Sequence, residues 1–435
     1  MSSSRKFGGE FHELEEAGGE GGRGGAHPHV LLGRRWYVLG ASSTIAFLQG
    51  WIWNTYGPIA LAVKTRFGWD DATLSFLGNW GPIAYILFFL PTAFCLDRFK
   101  LRPSAIGAAV LVCAGCGVRL IDTSESRAGL FLAHAGSCLN GLAGPFAMSA
   151  GTVVSAAWFG PGERTTSTAI FTIANMFGVS ASYLVGPLLV PADGSVADIR
   201  HYLWICFILA AVSLALVLVY LPSKPPTGSE PSRSASVERM SLCNGLRSLA
   251  SHRNFWLVTL SYGATTGLYA GWGPLYAIIF EKLGPSICKD PQKTASWVGF
   301  WSNLGGNLAG MAFSVLADRG FGRKHFKTVL IVLSVLGVAV YGTFAVLFAR
   351  GSLTLTIVWV LCICGGIVVN GTVPIFYELA VDAAFPVAEG LTTSVLTVAN
   401  NVGGLIFLCL PTFGLQIGNW VNLTVGGACV LSVVC

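Results

Sequence analysis

The hydrophobic residues of this chain fall into long runs, separated by short segments that carry most of the charged residues. Most runs reach roughly 20 residues, the length of α-helix that crosses the hydrocarbon core of a bilayer. The runs are continuous rather than alternating, so they predict helices and not the strands of a membrane β-barrel. The predicted spans are 36–62, 73–95, 104–121, 129–157, 166–190, 200–221, 254–280, 294–317, 328–349, 353–380, 389–413 and 420–435.

Polar segments divide these spans into two groups of six. Residues 1–33 are rich in Gly and acidic residues, and they predict a disordered cytosolic tail. Residues 222–253 are rich in Ser, Pro and basic residues, and they predict a cytosolic linker. We therefore expect six-helix bundles at 34–221 and 254–435. The final span, 420–435, would give about 24 Å of helix against roughly 30 Å of hydrocarbon, so we expect a truncated last helix.

Composition supports a membrane protein. Hydrophobic residues make up 53% of the 435 and charged residues only 11%, whereas a soluble domain carries roughly 25% charged residues. The formal net charge of +6 is modest and spread over short loops, which argues against a nucleic-acid partner. Most Lys and Arg residues lie on the side of the N-terminus, so the positive-inside rule predicts that both termini are cytosolic.

The two groups of six spans repeat each other at a constant offset. The recurring segments are Gly50-Trp51 with Gly271-Trp272, 73–80 with 294–301, and Asp97-Arg98 with Asp318-Arg319. Chance similarity between apolar segments does not explain recurring Trp and Asp-Arg. Because six is even, both copies have the same topology, and they predict an all-α parallel repeat. Such halves pack around a central site and rock against each other, as in major facilitator transporters.

The repeated Asp-Arg pairs follow spans two and eight and predict a gate on the cytosolic side. An Asp is stabilised at a helix N-terminus by the helix dipole, so each would cap a facing helix of the other half. This network would hold the outward-open state. The alternative is plain positive-inside topology, which explains the Arg residues but not the repeated Asp. The predicted gate comprises Asp97, Arg98, Glu163, Asp318, Arg319 and Glu389.

Several motifs resemble known families. Residues 96–98 and 316–319 resemble the cytosolic loop signature of the major facilitator superfamily, although Ala93 and Ser314 stand where that signature has Gly. A resemblance to solute carrier family 49 covers nearly the whole chain from Arg34. It is carried by residues 53–59, 139–145, 299–302, 374–379 and 385–390.

The second resemblance implies the class of substrate. Members of solute carrier family 49 move haem, choline and related amines, or pyridoxine. The first three motifs are most similar to the pyridoxine branch, which is lysosomal and proton-linked, so the resemblance implies a pyridoxine symporter. Choline-like amines and haem remain alternatives. That branch has an acidic dileucine sorting signal, whereas Leu31-Leu32 follows His27 and His29 without the acid. The plasma membrane is therefore the alternative location.

Aromatic residues inside spans one and seven are candidates for substrate contact. Their rings can stack on a flat substrate or face a cation. Trp51 recurs as Trp272, and the resemblance implies that the ligand-facing aromatics are Trp51 and Tyr269. Trp51 and Trp53 lie about 200° apart around a helix, so they cannot both face the pore. We predict that Trp51 contacts substrate, with packing as the alternative.

Asparagines inside apolar spans are the second group of candidates. An amide in hydrocarbon needs a partner, and hydrogen bonding between helices is its commoner use. The resemblance implies that Asn175 and Asn401 lie close to the cavity, with Met176 where the family has a polar neighbour. The predicted substrate-binding residues are Trp51, Asn54, Asn175, Tyr269, Trp272 and Asn401.

His134, in span four, titrates near neutral pH and is the candidate for proton coupling. A hydrogen-bonded structural role is the alternative. Arg119 lies near the same membrane face, where it would repel a proton from His134 or stack nearby.

The residue pattern contains no nucleophile–base pair, no metal-ligand spacing and no phosphate loop. Cys113 and Cys116 form a lone CxxC with no second pair. We therefore expect a transporter without cofactor or metal, whose partners are a small-molecule substrate, protons and the lipid bilayer. A non-transporting membrane receptor or scaffold is the alternative of another class.

Overall fold

The computed structural model describes residues 28–159, 163–223, 242–316, 326–387 and 389–410. Every regular element within these ranges is helical, which confirms the predicted all-α fold class. The predicted last span and most of the N-terminal tail lie outside the described residues. Part of the predicted linker, Leu242–Ser251, is a helix.

The helices of the N-terminal half are α1 Pro28–Trp53, α2 Ala60–Phe67, α3 Asp71–Phe99, α4 Leu101–Ile121, α5 Arg127–Leu142, α6 Gly144–Trp158, α7 Arg164–Leu189 and α8 Val196–Val219. Helix α9 is Leu242–Ser251. Those of the C-terminal half are α10 Arg253–Tyr262, α11 Leu268–Ala270, α12 Trp272–Lys282, α13 Pro291–Leu316, α14 Phe326–Ala349, α15 Leu355–Gly371, α16 Val373–Ala384 and α17 Glu389–Leu408. The face of the bundle where α1 begins is called the N-terminal face, and the other is the opposite face.

Seven helical segments within the described residues are long and apolar enough to cross a membrane. Predicted spans one and seven are interrupted. Span one is broken by residues 54–59, the α1 elbow, between α1 and α2. Span seven contains a π-helical turn, Gly263–Gly267, a feature that often marks functional sites. Transporter sites are typically built from discontinuous helices, so these two breaks locate the candidate site.

Polar caps fix the helix starts at the opposite face. The Asp70 carboxylate accepts a hydrogen bond from the Thr73 amide at the start of α3. Ser195 and Asp198 form a reciprocal capping box at the start of α8. Hydrogen bonds from Thr73 hold the pKa of Asp70 below its usual range. Since such caps satisfy amides that the helix leaves open, they define where these helices begin.

Close backbone contacts pack corresponding helices of each half. In the N-terminal half, a Cβ on Gly178 of α7 would collide with the backbone of α1 at Phe47 and Trp51. In the C-terminal half, a Cβ on Gly403 of α17 would collide with the π-helical turn at Gly263. Both contacts join the first and fifth spans of their half, so the sequence repeat is matched by a repeated packing contact.

Candidate functional site

The two halves meet at the opposite face through four alternating charges. Lys64 of α2 lies 3.1 Å from Asp71 of α3 and 2.8 Å from Glu281 of α12. Lys282 of α12 lies 3.0 Å from the other Asp71 oxygen. Burial lowers the pKa of Lys64, but its bonds to Glu281 and Asp71 outweigh burial and raise that pKa overall. The ring keeps Lys64 charged and ties α12 to the N-terminal half.

Neutral side chains extend this junction, which we call the seam. The Gln292 carbonyl accepts a hydrogen bond from the Ala62 amide at 3.2 Å, and its NH₂ group donates to the Val190 carbonyl at 2.9 Å. Gln292 is only 2% exposed. The Ser75 hydroxyl of α3 donates to the Leu408 carbonyl of α17. The seam thus joins spans one, two and five to spans eight and eleven.

Glycines bring the halves close enough for these bonds. A Cβ on Gly57, in the α1 elbow, would lie 2.9 Å from the Cα of Pro274 in α12. A Cβ on Gly299 of α13 would lie 2.6 Å from the ring of Tyr183 in α7, and one on Gly273 would lie 2.8 Å from the Tyr183 hydroxyl. These distances are below any normal carbon contact, so the opposite face is closed by contacts that only glycine permits.

A polar and aromatic cluster lies between the halves along the same seam. The Asn54 amide of the elbow donates to the Ser182 hydroxyl at 2.9 Å. Next to Ser182, the Tyr183 ring packs edge-on against Tyr276 of α12, with centroids 6.3 Å apart. The Asn54 side chain and the Tyr183 hydroxyl also lie next to each other, although neither the Asn54 carbonyl oxygen nor the Tyr183 hydroxyl makes a hydrogen bond of normal geometry within the described ranges. A weakly bonded polar pair therefore lies beside the junction between the halves.

The predicted residue Tyr269 reaches this cluster from the C-terminal half. Its hydroxyl lies 3.1 Å from that of Tyr276 and bonds to the Ser302 hydroxyl of α13. Trp272 packs nearby, stacked on Phe407 with centroids 5.8 Å apart and 1% exposed. The structure thus brings Asn54 and Tyr269 to opposite sides of one seam through Tyr183 and Tyr276.

Trp51 lies elsewhere. Its indole donates to the Tyr202 hydroxyl of α8 at 2.9 Å and packs edge-on against Phe47. These contacts all belong to the N-terminal half, and the side chain is 7% exposed. In this conformation Trp51 therefore packs within its own half, and substrate contact by Trp51 stays a prediction.

Gln49 is a residue that the sequence interpretation missed. The predicted residue Asn175 donates to the Gln49 side-chain carbonyl at 2.9 Å and to the Ala46 carbonyl at 2.8 Å. Asn140 of α5 donates to the Gln49 backbone carbonyl at 3.1 Å. The sequence does contain a signal for Gln49, because its amide lies inside apolar span one, and the same signal singled out the asparagines. Gln49 joins α1, α5 and α7 into one polar cluster in the middle of the N-terminal half.

The corresponding amides of α17 are half-buried. Asn401 donates to the Thr397 carbonyl of its own helix at 2.8 Å. Asn400 donates to Thr266 in the π-helical turn at 2.8 Å. Asn400 therefore ties α17 to the broken span seven, and substrate contact by Asn401 stays a prediction.

His134 of α5 is half-buried against α3. Its Nδ1 accepts a hydrogen bond from the Trp80 indole at 3.0 Å, and the Phe76 ring packs edge-on at 5.6 Å. An indole N–H can only donate, so Nδ1 of His134 carries no proton in this arrangement. Nε2 is then the nitrogen that carries the proton of the neutral imidazole. Arg119 does not stack on His134, because its guanidinium lies over the Tyr56 ring at 5.3 Å.

The predicted cytosolic gate lies largely beyond what the structure describes. Glu163 forms a bidentate ion pair with Arg35 of α1, with a shortest distance of 2.6 Å. That pair stays within the N-terminal half, and the Arg98 side chain is exposed. The side chains of Asp97, Asp318, Arg319 and Glu389 lie outside the described residues. An inter-half gate at this face stays a prediction.

Comparison with known proteins agrees with this architecture. The family model described as Major Facilitator Superfamily matches residues 43–434. The Solute carrier family 49 member 4 homolog of Xenopus laevis is 33% identical over 94% of this chain and 92% of its own length. The homolog of Xenopus tropicalis is 34% identical over the same shares. The Choline/ethanolamine transporter FLVCR2 of Homo sapiens is 25% identical over 91% of this chain and 76% of its own.

Solved structures show the same fold. The nucleoside transporter NupG aligns with a TM-score of 0.59 at 16% identity, covering 91% of this chain and 97% of its own. A bacterial homolog of the human lysosomal transporter Spinster, inward-facing and occupied, also aligns with a TM-score of 0.59, at 15% identity and 94% of each chain. The relatives are transporters rather than enzymes. This chain is thus a multi-pass membrane transporter of the Major Facilitator Superfamily and belongs to solute carrier family 49.

Proposed function

We propose that the chain carries pyridoxine (vitamin B6) across a membrane together with protons, by alternating access. The observation that carries this proposal is the closed seam between the N-terminal and C-terminal halves, with buried polar and aromatic groups beside it. Rocking of the halves would open the seam at the opposite face. The proposed cytosolic gate, Asp97, Arg98, Glu163, Asp318, Arg319 and Glu389, would then close the N-terminal face.

The chemistry of the cluster favours a ring that carries hydroxyl groups. The Asn54 side chain and the Tyr183 hydroxyl are buried next to each other, but neither the Asn54 carbonyl oxygen nor the Tyr183 hydroxyl makes a hydrogen bond of normal geometry in the described part of the chain. A buried polar group that is left unpaired costs about 1–3 kcal/mol. Pyridoxine hydroxyls would donate to the Asn54 carbonyl and bond to the Tyr183 hydroxyl. The rings of Tyr183 and Tyr276 would contact its pyridine ring. Trp51, Asn175, Trp272 and Asn401 complete the proposed substrate-binding set with Asn54 and Tyr269.

A choline-like amine is the second candidate, because the relative named FLVCR2 is a choline/ethanolamine transporter. Aromatic faces attract a quaternary ammonium, but choline has only one hydroxyl to bond to Asn54 or Tyr183, and its methyl groups donate no conventional hydrogen bond. Haem is a weaker candidate, since it would need a larger cavity and axial His ligands. A receptor or scaffold would bind ligand without flux.

For proton coupling we propose His134. Its Nδ1 accepts the hydrogen bond of the Trp80 indole, so a transported proton would bind Nδ1 in place of that hydrogen bond. His134→Gln should flatten the pH dependence of uptake while leaving exchange at equal pH largely intact. Trp80→Phe removes the indole donor but keeps the imidazole, and should retain a pH-dependent profile. A wild-type pH profile in His134→Gln would exclude this role.

The resemblance also supports a lysosomal location, with the plasma membrane as the alternative, and the distribution of Lys and Arg supports cytosolic termini. The decisive test of substrate is uptake of labelled pyridoxine, choline and haem into proteoliposomes, with and without an inward proton gradient. Pyridoxine uptake that the gradient accelerates supports the proposal. Uptake of choline alone would move the substrate to the amine class. Ligand binding without flux for all three would indicate a receptor.

A further inference from the structure

Arg119 is a buried cation that the transport scheme above leaves unused. It lies in the last turn of α4 and is 3% exposed. Within the residues that the structure describes, no carboxylate lies within 4 Å of it, and its Nε has no hydrogen-bond partner. Burying a guanidinium without an acid is costly, so its neutral contacts must compensate.

Those contacts converge on the end of α1. One terminal nitrogen of Arg119 donates to the Ile52 carbonyl at 3.4 Å and to the Thr55 hydroxyl at 3.3 Å. The last carbonyls of a helix lack partners within it and carry partial negative charge. A cation is therefore favoured where α1 breaks. The guanidinium also covers the Tyr56 ring of the elbow at 5.3 Å, a favourable cation–π geometry.

The other terminal nitrogen anchors Arg119 to the scaffold. It donates to the Ser137 hydroxyl of α5 at 3.0 Å. A Cβ on Gly136 would lie 2.6 Å from the Arg119 side chain, so α5 holds that side chain tightly. Arg119 thus connects the elbow to α4 and α5, which lie behind it within the N-terminal half.

The front of the same elbow meets the other half. Gly57 touches Pro274 of α12, and Asn54 bonds to Ser182 next to Tyr183. We infer that Arg119 is a positioning residue for transport: it holds the α1 elbow against α12, and so favours closure of the opposite face without touching the C-terminal half itself. This inference rests on the proposed alternating access, but not on the identity of the substrate.

The test measures closure of the seam and needs no substrate. Ser75 is fully buried against the Leu408 carbonyl, so Ser75→Cys is a reporter that a maleimide reaches only when the seam opens. Alkylation of that cysteine is quantified by peptide mass spectrometry in the purified full-length protein. Arg119→Gln and Arg119→Lys are compared in this background, together with the melting temperature of each variant.

The matched control is Arg66→Gln. Arg66 donates to the carbonyls of Asp193 and Gly194 at 2.6 and 2.7 Å, so its loss also removes charged bonds at the opposite face, but within one half. We expect Arg119→Gln to raise the alkylation rate about tenfold, equivalent to about 1.4 kcal/mol. Arg119→Lys, which keeps the charge and fewer bonds, should fall between. Arg66→Gln should leave the rate unchanged.

If Arg119→Gln does not fold, Thr55→Val removes one acceptor while keeping the shape, and should raise alkylation by a smaller factor. Wild-type alkylation in Arg119→Gln, or in Thr55→Val where only that variant folds, would overturn the inference. An equal increase in Arg66→Gln would also overturn it, since it would indicate general loosening. Absence of pyridoxine, choline and haem transport, with the expected alkylation pattern, would contradict the proposed substrates and leave standing the role of Arg119 in closing the opposite face.

Discussion

The ammonium group of Lys64 lies 2.8 Å from the carboxylate of Glu281, and the pair joins the two halves of the transporter across the opposite face. Both side chains are about a third exposed. An exposed pair of this kind contributes at most about 1 kcal/mol. Lys64 also pairs with Asp71, which in turn pairs with Lys282. A ring of charges, rather than one strong bond, therefore ties the two halves together at the opposite face.

The first prediction concerns this ring. Lys64→Gln and Glu281→Gln should each raise alkylation of a Ser75→Cys reporter about three- to fivefold, because each removes a bond between halves worth up to about 1 kcal/mol. The double variant should show less than the product of the two effects, since both remove the same pair. Asp122→Asn, which removes a carboxylate bonded to nearby groups of its own half, chiefly Ser124 and Ser126, is the control. Multiplicative effects in the double variant would contradict a direct pair.

The second prediction concerns Gly57. A Cβ there would lie 2.9 Å from Pro274 Cα, a backbone atom that cannot rotate away. Gly57→Val should therefore keep the seam from closing and slow uptake at least about tenfold, while raising Ser75→Cys alkylation. Gly107→Ala in α4 has open space around the added carbon and should leave uptake unchanged. Normal uptake in Gly57→Val would show that the elbow moves freely during closure.

The third prediction concerns alkaline pH. Contacts with Glu281 and Asp71 raise the pKa of Lys64 despite partial burial, so the folded protein holds this proton more tightly than the unfolded chain. That contribution is fully present below the unfolded pKa of about 10.4 and is lost as pH rises through the folded value. Lys64 slows alkylation of the Ser75→Cys reporter, and this slowing is the difference in rate between Lys64→Gln and the unaltered Lys64. It should stay constant from about pH 7 to 9 and decrease only above about pH 10.4. In Lys64→Gln the alkylation rate should show no such change above about pH 10.4. If the slowing by Lys64 were already lost near pH 8, a raised pKa of Lys64 would be refuted.

The fourth prediction separates substrate contact from packing at Trp51. If Trp51 contacts pyridoxine, Trp51→Ala should weaken binding by about 1–3 kcal/mol, or roughly 5- to 150-fold. Trp51→Phe should recover part of that loss. Tyr202→Phe removes the hydrogen bond that Trp51 makes in this conformation but keeps the indole, and should bind pyridoxine normally. Unchanged affinity in Trp51→Ala, with a lower melting temperature, would assign Trp51 to packing alone.

The amides show why site residues are harder to predict than spans. An amide inside an apolar run predicts a hydrogen bond, but not its partner. Asn175 bonds to Gln49 and Ala46 within its half, whereas Asn54 donates to Ser182 beside the seam. Both residues are asparagines, and both lie inside predicted apolar spans. Only the rotation of each helix and the approach of its neighbour decide which of them lies near a junction.

The sequence by itself determined the class of protein, its all-α fold and the family. Each of these depends on local information: the length of an apolar run, a repeated motif, a charge in a loop. Tertiary structure alone decided that the Lys64–Asp71–Glu281–Lys282 ring closes one face and that Arg119 supports the elbow behind it. Lys64 and Glu281 are far apart along the chain, and in sequence each is an ordinary loop charge. They meet only because the two bundles dock at this distance and angle. The close contacts of Gly57 with Pro274 and of Gly299 with Tyr183 determine that docking.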